Sequence, residues 1–449
     1  MEQFSQEFYN EFRSIIDSKD KEKAIELLND LHPADIAELY QELDLDEAEF
    51  VYLLLDADKA ADVLLELDED ERRKMLEHLP VDVIAKQFID HMETDDAVDV
   101  MRDLDEDVQE EILSHIDDVE QAGDIVDLLK YDEDTAGGIM GTEMVIVNEN
   151  WSMAECVREM RLQAETMDEI YYVYVVDDDE RLKGIFPLKK MITNPSVSKI
   201  KQVMEQDPVA VKTDTSIEEV AQIIEKYDIV AVPVVDSIGR LVGRITVDDV
   251  MDEVREQSER DYQLASGISQ DIETTDTVFD QTKARLPWLL IGIGGGIASA
   301  TILGGFEGSL GGHPELALFI PLIGGTGGNV GIQSSAIVVQ GLANGTLDIK
   351  NAWHQVLKES GVATINATII SLIVLFYNFF FLDNNAITAA VSLSLLAVVL
   401  FASIFGTIVP LTLEKLKIDP ALATGPFITI TSDIIGVLIY MGVCEMLIQ

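Results

Sequence analysis

The chain has 449 residues and a formal net charge of −52, from 83 Asp and Glu against 31 Lys and Arg. That balance excludes a general nucleic-acid binder, whose phosphate contacts need Lys and Arg. Nine of the acids and four of the bases follow Arg285, so the first 285 residues carry −47 and the last 164 carry −5.

The opening stretch, MEQFSQEFYNEF, is acidic and amphipathic and lacks the apolar core of a signal peptide, which places the N-terminal module in the cytoplasm. Residues 1–134 carry Leu, Ile and Val at helical spacing with acids between them. Ala60, Asp62, Val63 and Leu67-Asp-Glu-Asp70 recur 37 residues later as Ala97, Asp99, Val100 and Leu104-Asp-Glu-Asp107. The pattern predicts stacked helical hairpins, a short superhelical all-α N domain. Most of its acids are expected to form a solvated face. A charge of −47 still means strong self-repulsion, which bound divalent cations would relieve.

A second repeat follows. Val175-Val-Asp-Asp-Asp-Glu-Arg-Leu-Lys-Gly184 aligns with Val234-Val-Asp-Ser-Ile-Gly-Arg-Leu-Val-Gly243, a period of 59. An amphipathic helix (Ala154–Leu162; Ile217–Lys226) and a β-rich run (Ile170–Val176; Ile229–Val235) precede each copy. The arrangement resembles a tandem pair of α/β CBS domains, expected at 135–200 and 201–257. Such pairs often sense an adenosine nucleotide, so an adenine nucleotide is an open partner here. The ribose-binding acid that the resemblance implies is replaced by Lys190 in Phe186-Pro-Leu-Lys-Lys190, whereas the second repeat keeps Thr246-Val-Asp-Asp249. Residues 258–284 read as a connecting helix, continuing the pattern of 250–257 to Lys283.

Residues 285–449 predict a five-helix transmembrane domain. Five stretches reach the roughly 20 apolar residues that a span needs: Leu286–Phe306, Leu316–Leu342, Gly361–Leu382, Ala386–Leu413 and Ala421–Leu447. Lys350 and Lys358 fall between spans two and three, Lys415 and Lys417 between four and five, and Lys283 and Arg285 precede span one. The other two loops hold Glu307, His313, Glu315 and Asp383 without Lys or Arg. The positive-inside rule then puts the N-terminus in the cytoplasm and the C-terminus outside.

Gly292 and Gly296 have the spacing of close helix contact. Span two contains Pro321-Leu-Ile-Gly-Gly-Thr-Gly-Gly-Asn-Val-Gly-Ile-Gln333. Such a sequence is poor material for a lipid-facing helix, and broken backbone at membrane depth is tolerated only inside protein or along a water-filled cavity. Asn329 and Gln333 are therefore candidates to line a pore. In span five, Pro426 and Thr429 join them, followed by Asp433, read as the only acid deep within a span. An acid there costs about 2.5–3.5 kcal/mol and is a functional hypothesis by default. Its Thr and Ser neighbours suit a hydrated hard cation such as Mg²⁺. Cys156 and Cys444 sit in different halves and form no metal-site spacing. There is no nucleophile–base pair or Walker motif, and six scattered histidines define no site, so enzyme activity is not expected.

Taken together these residues resemble the MgtE family of bacterial magnesium channels. The resemblance covers the helical N domain, the Tyr131-Asp-Glu-Asp-Thr-Ala-Gly-Gly138 junction, the CBS pair, the connecting helix and five spans. Its most specific motifs are Gly327-Gly-Asn-Val-Gly-Ile-Gln333, Asp419-Pro420 and Ser432-Asp433. It implies a homodimer in the inner membrane with a pore between subunits, Asp433 holding hydrated Mg²⁺, and closure when cytosolic Mg²⁺ fills regulatory sites. Those sites are implied at Asp62, Asp95 and Asp99 of the N domain, Glu218, Asp228, Asp249 and Asp252 of the second CBS repeat, and Asp261 of the connecting helix. The family's acids are absent at Ser216, Gln257 and Arg260, and its span-five Asn-Pro is Gly425-Pro426 here. Two rivals stay open: a proton-coupled secondary transporter using Asp433, and a CBS nucleotide-sensing membrane receptor.

Overall fold

The computed structural model describes residues 5–448 except 41–42, 165–166, 168, 271, 273–276, 344, 348–351, 383 and 424. Lys350 and Asp383, invoked above, lie outside the described residues. The chain forms two compact units, Met1–Val254 and Arg255–Gln449.

The first unit opens with ten α-helices: Gln6–Ser18 (α1), Lys21–Asn29 (α2), Pro33–Tyr40 (α3), Leu45–Tyr52 (α4), Ala57–Leu65 (α5), Glu69–Leu76 (α6), Val81–Gln87 (α7), Thr94–Arg102 (α8), Glu106–Leu113 (α9) and Val119–Leu128 (α10). Part of the acidic composition is spent on starting them. Asp20, Asp44, Asp56 and Asp118 sit at N-caps and accept backbone N–H groups of the first turn, where a carboxylate also meets the positive end of the helix dipole. The apolar stripes pack alternate helices, α3 on α5, α7 on α9 and α8 on α10. Ala60 and Val63 of α5 and Ala97 and Val100 of α8, the repeat seen in the sequence, are all fully buried.

The CBS pair follows. Its first half contains Val145–Asn148 (β1), Met153–Gln163 (α11), Tyr172–Val176 (β2), Leu182–Pro187 (β3), Leu188–Thr193 (α12), Ile200–Val203 (α13) and Glu205–Gln206 (β4). The second contains Val211–Lys212 (β5), Ile217–Tyr227 (α14), Ala231–Val235 (β6) and Leu241–Thr246 (β7), leading into Val247–Ala265 (α15). In each half a parallel strand pair precedes an antiparallel hairpin. The two hairpins share one register 59 residues apart: Val173 faces Phe186 as Val232 faces Ile245. Both carry the same irregularity, at Val175/Val176 and Val234/Val235, so the repeat extends to backbone detail. One apolar core runs from the N-terminal helices through Ala136, Ile139 and Met140 into the second CBS half, while the first half has its own.

The second unit holds five helices long and apolar enough to cross a membrane. They are Val278–Gly305 (α16), the 3-10 turn Pro314–Phe319 with Ile320–Ala343 (α18), Ala352–Phe381 (α19), Asn385–Lys415 (α20) and Gly425–Ile448 (α21), with short Glu307–Gly312 (α17) between the first two. Helix α20 is the most buried span, packed by α18, α19 and α21.

Three expectations change. Helix α15 does not continue to Lys283 but stops at Ala265, where Gly267 takes φ +81°, a conformation open to glycine without strain. Span two is an unbroken helix rather than a broken one; its glycines bring neighbouring helices close instead of interrupting the backbone. Span three begins nine residues earlier than Gly361, which places Glu359 inside α19, buried. Asp433 is therefore not the only acid within a span.

Candidate functional site

In the first unit, carboxylates converge at the start of α8. Glu93 is its N-cap, and Thr94, Asp95 and Asp96 form its first turn. Glu93, Asp95 and Glu143 bring carboxylate oxygens within 4.8 Å of one another, and Asp95 is only 8 % exposed. Glu143 is held in place by Thr94, whose backbone N and Oγ1 each donate to it at 3.0 Å. Arg244 of β7 is buried and donates from Nη2 to Glu93 at 2.6 Å and from Nε to the Glu143 carbonyl at 2.6 Å. Gly141 exchanges both backbone hydrogen bonds with Arg244 at 2.9 Å. A methyl at Gly141 would lie 2.7 Å from Asp95 Oδ2, so only glycine lets the backbone pass this close to the carboxylate.

Burial, then the charges of Asp96, Asp249, Glu143 and Glu93, holds Asp95 well above the ordinary carboxylate range. Burial, then Asp249, pushes Asp96 up to about 7. Burial also pushes half-buried Asp99 up to about 6, against the pull of Arg102 and Arg72. Asp249 points in from the start of α15 and accepts from Thr246 N at 3.0 Å and Thr246 Oγ1 at 2.5 Å. Among these five carboxylates, gathered around one arginine, Asp95 and Asp96 resist ionisation. They are hard oxygen donors, the set that suits a divalent cation such as Mg²⁺.

Of the residues singled out in the sequence, Asp95, Asp99 and Asp249 are brought together, although Asp99 is also paired with Arg102 at 3.3 Å. Asp62 on α5, Glu218 in the first turn of α14, Asp228 at its C-cap and Asp252 on α15 are exposed. Among the described residues, the three-carboxylate group includes none of them. Asp261 is half-buried near the end of α15. Sequence reading missed Glu93, Asp96, Glu143 and Arg244. The run Glu93-Thr-Asp-Asp96 at a helix start was the available signal; nothing local marks Glu143 or Arg244. Lys190, the counterpart of Asp249 in the first repeat, instead binds the Val203 carbonyl at 3.1 Å and Glu205 at 2.9 Å.

The second unit builds a different site. Gly324 of α18 leaves room for Asp433 of α21: a methyl there would stand 3.2 Å from Asp433 Oδ1. At Gly328 it would stand 3.3 Å from Thr429 Cγ2, and at Gly331 2.6 Å from Ile428 Cγ2. The two helices are thus antiparallel and nearly in backbone contact. Gly295 of α16 does the same against Ile430, whereas Gly292 and Gly296, expected to be the contact pair, face open space. Asp433, half-buried, borders a cavity of about 350 Å³ with Gly292, Gly296, Ser299, Pro321 and Gly325. Thr429 and Pro426 lie one and two turns before it on the same face of α21. Asn329 and Gln333 are exposed on α18, four residues apart and so on one face. They lie toward the end of the helix pair where Pro426 sits. At that end Gly425 has φ +42°, and a methyl on it would come 2.1 Å from the Ala265 carbonyl oxygen. Pro426 packs against Gly267. The tail of α15 therefore rests directly on the first turn of α21.

The sequence of residues 320–443 matches the MgtE family, described as a divalent cation transporter. Residues 31–134 match the MgtE intracellular N domain, and 136–195 and 200–256 match CBS domains. The magnesium transporter MgtE of Thermus thermophilus is 36 % identical over 329 residues, 72 % of each chain. The chain belongs to the MgtE family. The magnesium transporter MgtE of Enterococcus faecalis is 33 % identical over 330 residues, 74 % of this chain and 73 % of that one. A crystal structure of the cytosolic domain of the Mg²⁺ channel MgtE in complex with ATP aligns with 55 % of this chain and 99 % of its own, at 33 % identity and a TM-score of 0.52. The MgtE architecture expected from the sequence, an all-α N domain, a CBS pair and five apolar helices, is the one found, and the chain is a membrane protein of a transporter family.

Proposed function

We propose that this chain is a Mg²⁺ channel of the cell membrane, closed by the ion it conducts. The observation that carries the proposal is Asp433: a carboxylate within a span, on a face cleared by Gly324 and Gly328, bordering a cavity. Mg²⁺ dehydrates reluctantly and is commonly held through one or two carboxylates with its waters in place. A single carboxylate in a roomy, glycine-walled cavity supplies that. The names of the relatives, magnesium transporters and a Mg²⁺ channel rather than enzymes, support the choice of ion.

The partner is a second copy of the chain. Gly325, Asn329, Gln333 and Gln340 are exposed along α18, and amide side chains facing hydrocarbon are costly. Across a two-fold axis they would line a shared pore with Pro426, Thr429 and Asp433. The N-terminal unit lies in the cytoplasm and the C-terminus outside in this reading, supported by the lysines near the facing ends of spans two and three and of spans four and five.

Regulation begins at Asp95, Asp96, Asp249, Glu93 and Glu143. Cytosolic Mg²⁺ binds where these acids repel one another and joins α8 to α15; Asp62, Asp99, Glu218, Asp228, Asp252 and Asp261 are the further regulatory acids of this reading. The ion stabilises the conformation in which the sites are complete and shifts the population toward it. A hundred-fold change in open probability needs about 2.7 kcal/mol of differential binding, which several weak sites can share. The tail of α15 passes this on to the first turn of α21 through the Gly267–Pro426 and Ala265–Gly425 contacts. An adenine nucleotide is a second ligand for the CBS pair, supported by the ATP complex of the related cytosolic domain; Lys190 turns away from such a role in the first repeat.

The test is Mg²⁺ uptake by liposomes holding the full chain. Asp433→Ala is expected to abolish uptake while leaving dimerisation intact, and undiminished uptake would remove Asp433 from the pathway. Uptake that requires a pH gradient would favour the proton-coupled carrier.

A further inference from the structure

The pathway reading uses one face of α18. Another face of the same helix carries a buried polar group that it leaves unused. Ser334 of α18 and Ser403 of α20 both donate to one oxygen of Glu359 on α19, at 2.8 and 3.1 Å, and the two hydroxyls lie 2.9 Å apart. Glu359, Ser334 and Ser403 are 8 %, 3 % and 1 % exposed. Three helices therefore meet at one carboxylate oxygen. An ionisable group inside a span is retained at a cost and is functional by default.

Its position says what it does. Ser334 follows Gln333, a turn of about 100° around the helix, so Glu359 stands behind the polar stripe and off the pathway. One turn earlier on α18, Gly331 meets Gly406 of α20; a methyl at Gly406 would lie 2.3 Å from the Gly331 carbonyl oxygen. Gly327 and Gly331 give α18 a smooth face. Small-residue faces allow close approach but present no knobs that resist sliding. One residue of slip moves a helix by about 1.5 Å, enough to take Gly324 and Gly328 out of register with Asp433 and Thr429. We infer that Glu359 is a positioning residue for transport: by accepting from Ser334 and Ser403 it pins α18 so that its glycines face Asp433.

This inference rests on the pathway reading, and its experiment separates the two. The full chain and its variants are reconstituted in liposomes, and Mg²⁺ uptake is measured against Mg²⁺ concentration. Glu359→Gln keeps an acceptor oxygen of the same reach and should stay within about two-fold of the unsubstituted chain in half-saturating Mg²⁺. Glu359→Leu removes the acceptor and should raise half-saturation about ten-fold, a shift that mere loss of folded protein, which lowers only the maximal rate, would not cause. The double variant Ser334→Ala, Ser403→Ala removes the donors with little change of volume and should reproduce that shift, which keeps the test decisive where the leucine variant fails to fold. Added to Glu359→Leu it should change little, since the tie is already gone. Unshifted half-saturation in the serine pair, or a glutamine variant that behaves like the leucine one, would overturn the inference. Loss of uptake in Asp433→Asn beside normal Glu359→Leu would overturn the tie alone. Uptake retained by Asp433→Asn would overturn the pathway reading, and the tie with it.

Discussion

Single residues decide both sites, and glycine decides as much as aspartate. Gly324 is glycine because Asp433 stands opposite; Gly141 is glycine because Asp95 does. Gly324→Ala places a methyl 3.2 Å from Asp433 Oδ1 and should lower Mg²⁺ uptake about ten-fold, the effect of about 1.4 kcal/mol of crowding. Gly304→Ala, which meets open space and lies outside the cavity's lining, should leave uptake unchanged, and equal effects would contradict the glycine argument. The sensor acids predict a pH dependence of definite sign. Asp95, Asp96 and Asp99 have folded-state values raised above their ordinary 3.8, so the metal-free fold binds extra protons. It loses stability as pH rises from the ordinary carboxylate range through about 7, the value reached by Asp96. Mg²⁺ must displace those protons. The Mg²⁺ concentration that half-inhibits uptake should therefore fall as pH rises from about 6 to about 8 and level off above. Asp96→Asn should flatten that slope, and an inhibition midpoint independent of pH would count against this site as the sensor.

At the scale of elements, the sequence was most legible where a pattern repeats. The 59-residue period announced the paired hairpins, and the helical repeat announced α5 and α8, because periodicity follows directly from backbone geometry. Asp433 was legible because an acid in an apolar run is conspicuous. Glu359 was not: it sits just before Gly361, where hydropathy falls off, and only the structure shows that α19 starts at Ala352. Glu143 and Arg244 were equally hidden, since Glu143 reaches Asp95 from 48 residues along the chain and Arg244 arrives through the Gly141–Arg244 bridge rather than by local spacing. The end of α15 was misread for the opposite reason: a helical pattern ran on, but Gly267 and the approach of Ala265 to Gly425 stop the helix. That contact carries its own prediction. Gly425→Ala cannot keep φ +42° without strain, nor a methyl 2.1 Å from the Ala265 oxygen. It should part α15 from α21, leaving uptake largely intact while weakening its inhibition by Mg²⁺ several-fold. Uptake and inhibition lost together would place this contact in the pathway instead.

At the scale of the whole molecule, the charge is divided as the work is. The first 285 residues carry −47 and the rest −5. Much of that acid caps helices or faces water, as Asp20, Asp44, Asp56 and Asp118 do. A smaller part is buried against itself around Asp95, and that part is what a divalent cation would relieve. The membrane unit keeps one carboxylate on the proposed pathway and one behind it. Deleting residues 1–134 removes Glu93, Asp95 and Asp96 from the sensor, so transport should persist with Mg²⁺ inhibition greatly weakened. The most direct measurement is Mg²⁺ uptake by the reconstituted full chain while Mg²⁺ is titrated on the side of the N-terminal unit, compared with the variant Asp95→Asn, Asp249→Asn. Uptake should fall steeply with that Mg²⁺ in the unsubstituted chain, and the variant's curve should move to higher Mg²⁺ with its maximal rate unchanged. Coincident curves, or uptake indifferent to Mg²⁺ on that side, would contradict the account.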